Sequence, residues 1–411
     1  MLFKLTVSSL LSRKLMAALT IISIGVSVFV LLSVEHIKTE VRGNFQRTVS
    51  GVDLIVGSRT SQLNLLLYSV FRIGNPSNNL SWNSYQEIIA NKDVSWSLPF
   101  SLGDSHKGYA VLGTTPDYFE YFKFADKQKL SFADGQAFER LYQVVLGAEV
   151  AKLLGYKMGD EIIVSHGSGK VSFTHHDKHP FTVTGILSAT GTPIDQTLHL
   201  PFAAIDVIHE GAAFDNLALN DSRIAPRDGD AVSAVLLGVT NKLSVLRLQR
   251  KINQYDKEPL VAVLPGLALM QLWQIMERVE ISLSIVSALI LFAALLGMIT
   301  MLLASMAERE REIAVLRALG ARPSVIILLV ESEAILLTFS GCILAYFSLW
   351  LTLFLGQSFL QQEYGLFIQT LSLNWQVGRY IAGATIIAAL LALIPAYISY
   401  HRSLLKGLIS R

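Results

Sequence analysis

The 411-residue chain is 52% hydrophobic and 16% charged, against roughly 25% charged in an average soluble domain. Its net charge of +2 lacks the concentrated basic footprint of a nucleic-acid binder, so no nucleic-acid partner is expected. One cysteine, Cys342, excludes an intrachain disulfide, and any folded domain must stand on its own hydrophobic core.

Four uncharged apolar runs divide the chain: Met16–Val34, Ile281–Ala307, Ala334–Gly356 and Tyr380–Tyr400. Each is long enough to cross a hydrocarbon core of about 30 Å as a helix. Residues 1–15 form a short N-terminus carrying Lys4, Arg13 and Lys14, followed by transmembrane helix 1 over 16–34. That run exceeds the h-region of a signal peptide, about 7–15 residues, and Val34-Glu35-His36 offers no small-residue cleavage site. It is expected to be retained.

Residues 35–280 are expected to form one large domain. Glu35–Gly51 reads as a polar helix prolonging the first span. Strands are expected at Val52–Gly57, Tyr109–Gly113, Glu161–Ser165, Phe181–Leu187 and Ala234–Val239, each bounded by turn-forming residues. Helices are expected at Trp82–Asn91, Ala148–Leu154 and Asn241–Tyr255, which makes the domain α+β. The apolar stretch Leu63–Phe71 fits either a core helix or an amphipathic element beside the membrane that gives access to an apolar substrate. Val144–Ile162 reads strand, glycine turn, short helix, glycine stop and a Gly-Asp turn into a further strand, and Phe181–Leu187 leads into a turn-rich loop at Gly191–Asp195. Both motifs look structural, with glycines supplying positive-φ turns. Neither sets a nucleophile beside a base.

Transmembrane helix 2 is expected over 281–307, a joint over 308–322, helix 3 with its interfacial start over 323–356, a short external segment over 357–379, helix 4 over 380–400 and a tail over 401–411. Short basic segments stay on the cytoplasmic side while long domains translocate regardless of charge. The N-terminal cluster, Arg309, Arg311, Arg317 and Arg322 of the joint, and Arg402, Lys406 and Arg411 of the tail therefore belong inside. The expected fold is a multi-pass membrane protein of four transmembrane α-helices in a 1+3 layout, both termini cytoplasmic, with a large α+β extracytoplasmic domain between helices 1 and 2.

The joint is the segment most suited to meeting a partner. Glu308, Arg309, Arg311, Glu312 and Arg317 charge it, while Ile313, Leu316 and Leu319 repeat every three residues; Gly320 and Ala321 follow, and Pro323 suits the first turn of the next helix. This is a short amphipathic helix, either an interfacial loop whose arginines meet lipid head groups or a docking helix for a soluble protein. Glu331 and Glu333, at the inner edge of the third span, read as interfacial carboxylates near a helix N-terminus, with a proton relay as the alternative.

Six of the nine histidines fall between His166 and His209. His166, His175, His176 and His179 flank one polar loop with Asp177, and His-rich tracts suit zinc. Against that, the adjacent His175 and His176 point apart in a strand, and a solvated loop explains the composition equally.

The stretch Arg311–Ala321, the Val145–Ile162 motif, Phe181–Asp195 and the ending Ile394-Pro395-Ala396-Tyr397 together resemble the ABC-transporter permease family that includes the macrolide exporter MacB, LolC and LolE, and FtsX. The resemblance spans almost the whole chain in the same order. It implies a bacterial inner-membrane permease of the mechanotransmission type, with a MacB-like periplasmic core domain. It also implies a homodimer docked on two copies of a cytoplasmic ABC ATPase that binds ATP and magnesium, with Glu308–Leu319 as the coupling helix. A periplasmic, lipoprotein or membrane-fusion partner would extend the assembly. Gly167-Ser168-Gly169-Lys170-Val171 is not a phosphate loop, so the ATPase is expected in a separate chain, and this chain is expected to bind no cofactor and to be no enzyme itself. Export or extraction of a substrate leads the functional expectations. An FtsX-like signalling subunit that activates an external partner, and a zinc-linked transport system, are the alternatives.

Overall fold

The structure, a computed structural model, describes residues 2–48, 50–125, 127–166, 180–205, 231–309, 322–364, 371 and 374–409. The chain divides into two compact units, a helical one and an α/β one within residues 41–276.

The helical unit contains α1 (Leu2–Ser12) and most of the four long helices α2 (Lys14–Thr48), α8 (Pro265–Glu308), α9 (Pro323–Tyr364) and α10 (Trp375–Ile409). Four helices are long and apolar enough to cross a membrane. They outrun the apolar segments that announce them: α2 continues to Thr48, and α8 starts at Pro265 with no break before the run at Ile281. Proline suits both first positions, at Pro265 and Pro323, because an N1 residue has no intrahelical use for its N–H.

Packing among these helices relies on small residues, as expected where lipid competes equally for apolar surface. A Cβ on Gly341 would stand 2.8 Å from Ile24 Cγ2, and one on Gly25 3.0 Å from Leu344 Cδ2, so α2 and α9 meet nearly backbone to backbone. On α10, Ala384, Ala388, Ala392 and Ala396 share one buried face, while Ile386, Leu390, Leu393 and Tyr397 are exposed on the others. Cys342 is buried within α9.

The α/β unit is built on a sheet whose principal strands are β1 (Leu54–Ser58), β2 (Val94–His106), β3 (Tyr109–Thr114), β4 (Phe132–Gly135), β5 (Gln143–Leu146), β6 (Phe181–Leu187), β7 (Thr197–Pro201), β8 (Ala234–Val239) and β9 (Leu260–Val263). Among the described residues their order is β9-β1-β8-β2-β3-β7-β5-β6-β4. The pairs β3–β7 and β5–β6 are parallel. Strand β2 holds the sheet together: its first half, Val94 to Phe100, pairs with β8, and its second half, Ser101 to His106, pairs with β3. Between Leu102 and Ser105 the register shifts, and Gly103 there takes φ +144, open only to glycine.

Three apolar clusters fill the unit. One centres on Leu65, Tyr68, Phe100, Tyr118 and Phe138, a second on Val144, Val150, Phe181 and Leu198, and a third on Leu54, Trp82, Val235 and Leu248. The helices that cover them are α3 (Gln62–Val70), α4 (Trp82–Ile89), α5 (Asp117–Tyr121), α6 (Ala148–Leu154) and α7 (Val245–Asn253). Helix α3 settles the role of Leu63–Phe71. Leu65 and Leu66 are fully buried, Tyr68 donates to Ser233 O at 3.1 Å, and Ser61 caps the helix by accepting from Asn64 N, so the stretch is core.

Several expected elements shift. The strand expected over Glu161–Ser165 is two short ones, Glu161–Ile162 against β6 and Ser165–His166 against β2. The helix expected over Asn241–Tyr255 begins as a 3-10 turn, Lys242–Ser244, before α7. In the Val144–Ile162 motif, Gly155 and Gly159 do supply positive φ, at 73° and 86°, but Gly147 has φ −65°. What Gly147 supplies is space: a Cβ there would lie 2.3 Å from Ile194 O and 2.4 Å from Asp195 O. Those carbonyls belong to the loop after β6, which Asp195 organises by accepting from Thr190 N, Thr190 Oγ1 and Gly191 N, all at about 2.8 Å.

Gly147→Ala must push that backbone loop away and should cost about 3 kcal/mol, as overpacked cores do. A fall in the thermal midpoint of the detergent-solubilised protein, followed by tryptophan fluorescence, is the expected result, and an unchanged midpoint refutes it. His199 is fully buried, donates from Nδ1 to Val145 O at 3.3 Å and stacks on Tyr118 at 5.2 Å. Burial pushes its pKa down to about 3, so the folded protein holds it neutral while the unfolded chain protonates it near the ordinary value of about 6.5. Its contribution is whole above that ordinary value and is lost as pH falls toward the folded one, by at most about 1.4 kcal/mol per pH unit. Denaturant titrations of His199→Phe should give a flatter dependence of stability on pH across this window than the wild type, and equal slopes would reject the assignment.

Candidate functional site

Of the expected partner-binding residues, the structure describes Glu308 and Arg309; Arg311, Glu312, Ile313, Leu316, Arg317, Leu319, Gly320 and Ala321 lie outside the described residues. What it does describe are the two helix ends that flank them. Helix α8 closes at Glu308, with Arg309 N donating to Met306 O at 3.2 Å in a final turn. Helix α9 opens at Pro323, and Val325 N donates to Arg322 O at 2.9 Å.

Charged and hydroxyl groups tie the end of α8 to α1 and to the third turn of α9. Arg309 Nη1 donates to Glu333 Oε1 at 2.8 Å and to Ser9 Oγ at 2.5 Å, and Ser9 Oγ in turn donates to the same carboxylate oxygen at 2.5 Å. The Glu333 side chain is 1% exposed and that of Arg309 13%. Arg13, between α1 and α2, pairs with Glu308 at 2.9 Å, where the carboxylate is 58% exposed. Thr6 and Ser332 share a hydroxyl hydrogen bond of 2.7 Å.

Glu333 therefore departs from the interfacial expectation. It lies well past the first turn of α9, where a helix dipole no longer helps, and its charge is compensated by a partner from another helix. The two ion pairs are unequal. Removing one member of a buried pair strands a charge and costs about 3–5 kcal/mol, whereas an exposed pair contributes about 1 kcal/mol or less. Arg309–Glu333 is the strong joint and Arg13–Glu308 the weak one. Chemically the cluster holds no nucleophile beside a base; it fixes geometry.

Sequence reasoning missed the serine and threonine partners. Their one signal was spacing: Thr6, Ser9 and Arg13 stand three and four residues apart, on one helical face, within an otherwise apolar segment.

The histidine candidates are dispersed in what can be described. His166 sits in the short strand opposite Asp104 of β2, while His175, His176 and His179 lie outside the described residues. At the base of that loop His106 donates from Nδ1 to Ile163 O at 2.6 Å and meets Tyr156 Oη at 3.0 Å, and burial lowers its pKa. Among the described residues no group of three or more His, Cys, Asp or Glu is arranged to hold a metal. In the helical unit a cavity of about 60 Å³ is lined by Glu35, His36, Glu40 and Tyr380 over Leu32 and Val377. It has room for a few waters, far below the roughly 300 Å³ of a drug-sized site.

Comparison with known proteins completes the site. A model of the MacB-like periplasmic core domain matches residues 15–253, more than half of the chain, and a model of the FtsX-like permease C-terminal region matches residues 284–404. No curated protein matches. The periplasmic region of MacB from Actinobacillus actinomycetemcomitans is 11% identical, over 54% of this chain and 94% of that one, at a TM-score of 0.34. The extracellular domain of the noncanonic ABC-type transporter YknZ from Gram-positive bacteria is 14% identical, over 52% and 98%, at 0.31. The C-terminal match takes in both helix ends of the Arg309–Glu333 joint, and with the longer N-terminal match it places this multi-pass membrane protein in the MacB/FtsX-type family of ABC-transporter permeases.

Proposed function

We propose that this chain is the membrane subunit of a bacterial inner-membrane ABC transporter, driven by an ATPase that lies outside these 411 residues. Two permease copies sit on two ATPase chains, and ATP hydrolysis on the cytoplasmic side moves the α/β domain on the other side, where a substrate is exported or extracted. The sequence carries no G-x-x-x-x-G-K-S/T signature, and in this reading the chain contributes motion while the ATPase supplies the catalysis.

The continuity of α2 and α8 carries this reading. They are 35 and 44 residues long, about 52 and 66 Å at the rise of an α-helix. A bilayer core needs only about 30 Å of each. Part of the surplus belongs to the α/β unit, where Phe45 of α2 packs on Phe71 at 4.3 Å and on Trp273 of α8 at 5.7 Å, and Ala268 and Leu269 of α8 enter the domain's core. An unbroken helix transmits displacement along its axis because every backbone hydrogen bond along it must strain together. The inner end of α8 leads into residues 310–321, whose apolar repeat Ile313, Leu316 and Leu319 would fill a groove on the ATPase while the surrounding charges set register.

Leu316→Asp puts a charge into that apolar stripe. The variant should insert into the membrane at the wild-type level but fail to retain the co-expressed ATPase through affinity purification. Recovery of the ATPase at wild-type stoichiometry would overturn the coupling assignment.

A further inference from the structure

We propose that α1 is a second transmission strut, locked to the coupling joint by the Ser9–Arg309–Glu333 node and delivering the joint's displacement into α2. The proposal rests on the coupling role assigned above to residues 310–321.

The first ground is what holds α1 in place. Among the described side chains of α1 only Thr6, fully buried, and Ser9, 8% exposed, are buried, while Leu11 is 67% exposed. Both buried side chains are hydroxyls bonded to another helix, and in a water-poor setting such bonds have few competitors.

The second ground is where the bonds go. Thr6 reaches Ser332 and Ser9 reaches Glu333, both on α9, while Ser9 and Arg13 also reach Arg309 and Glu308 at the end of α8. One short helix thus holds the end of α8, where the segment expected to receive the ATPase stroke begins, and the third turn of α9 beyond it. The third ground is continuity. Arg13 N donates to Leu10 O at 3.1 Å and Ala17 N to Arg13 O at 3.0 Å, so the hydrogen-bonded backbone passes from α1 into α2 with a single turn between them. Movement of the joint is therefore shared between α8 and the α1–α2 pair. Ser9, Arg309 and Glu333 are positioning residues: they make the first and second transmembrane helices move as one.

A mere staple would stabilise the fold without affecting how motion is shared, and hydrogen exchange separates the two roles. The full-length permease is co-expressed with its ATPase, placed in lipid nanodiscs and compared before and after trapping with ATP and vanadate. In the wild type the exchange of 41–48, the end of α2, and of 265–276, the start of α8, should both respond to trapping. In Glu333→Gln the response at 41–48 should be lost while that at 265–276 persists with the ATPase still bound. The charge exchange Arg309→Glu/Glu333→Arg should bring the response at 41–48 back.

A covalent replacement guards against a variant that is simply misfolded. The Thr6 and Ser332 hydroxyls are 2.7 Å apart, so this is the pair of side chains to replace by a cross-link. In a Cys342→Ala background, Thr6→Cys/Ser332→Cys added to Glu333→Gln should restore the response at 41–48 when oxidised and lose it again on reduction. A full response at 41–48 in Glu333→Gln, or no rescue by the oxidised disulfide, overturns the strut. A wild type in which neither segment responds, with ATPase bound, sinks instead the coupling role on which the strut depends.

Discussion

A peptide group in hydrocarbon has no water to turn to, and each one left unbonded costs several kcal/mol, so a chain crossing a bilayer must satisfy its backbone within the crossing segment. That constraint makes the four apolar runs helices. Once nucleated, a helix extends for as long as its residues permit, and neither Glu35–Thr48 nor Pro265–Glu280 contains a proline after the first position. The same rule makes charge inside the bundle rare and specific. Glu333, 1% exposed, is tolerated because Arg309 and Ser9 converge on one of its oxygens.

Much of the architecture was legible in the sequence because its signals were local. The apolar runs, the apolar strand at Ala234–Val239 and the Gly-bounded helix Ala148–Leu154 each announce themselves within a short stretch of chain. Gly155, in the left-handed region at the end of α6, stands where a helix stop is expected. What escaped was non-local. Gly147 looks like a turn glycine by its neighbours, yet its necessity comes from carbonyls far along the chain, at Ile194 and Asp195. Leu63–Phe71 is apolar enough for a membrane surface, and only the sheet it covers makes it core.

The site was half legible for the same reason. Charge and periodicity pick out Glu308–Ala321 as an amphipathic link between spans, and α8 ends and α9 begins on either side of residues 310–321. Glu333 was visible only as a carboxylate at a costly position, and its true partner comes from the end of another helix. Ser9 carried only the signal of its spacing from Thr6 and Arg13, since a serine in an apolar segment reads as filler until its neighbour in space is known. Polar residues that serve a long-range contact are the hardest to read, because their chemistry is ordinary and their meaning lies in the partner.

Strand β2 places a limit on how the α/β domain itself can respond. Its thirteen residues belong to both halves of the sheet, so a slip of one half along the other would break hydrogen bonds with β8 or with β3 and turn side chains to the wrong face. The register shift at Leu102–Ser105 interrupts this strand, and the Ser233 hydroxyl braces it by accepting from Leu102 N at 3.1 Å. Any rearrangement between the two halves of the sheet therefore has to be absorbed at Gly103, because sliding is barred by the ladders on either side.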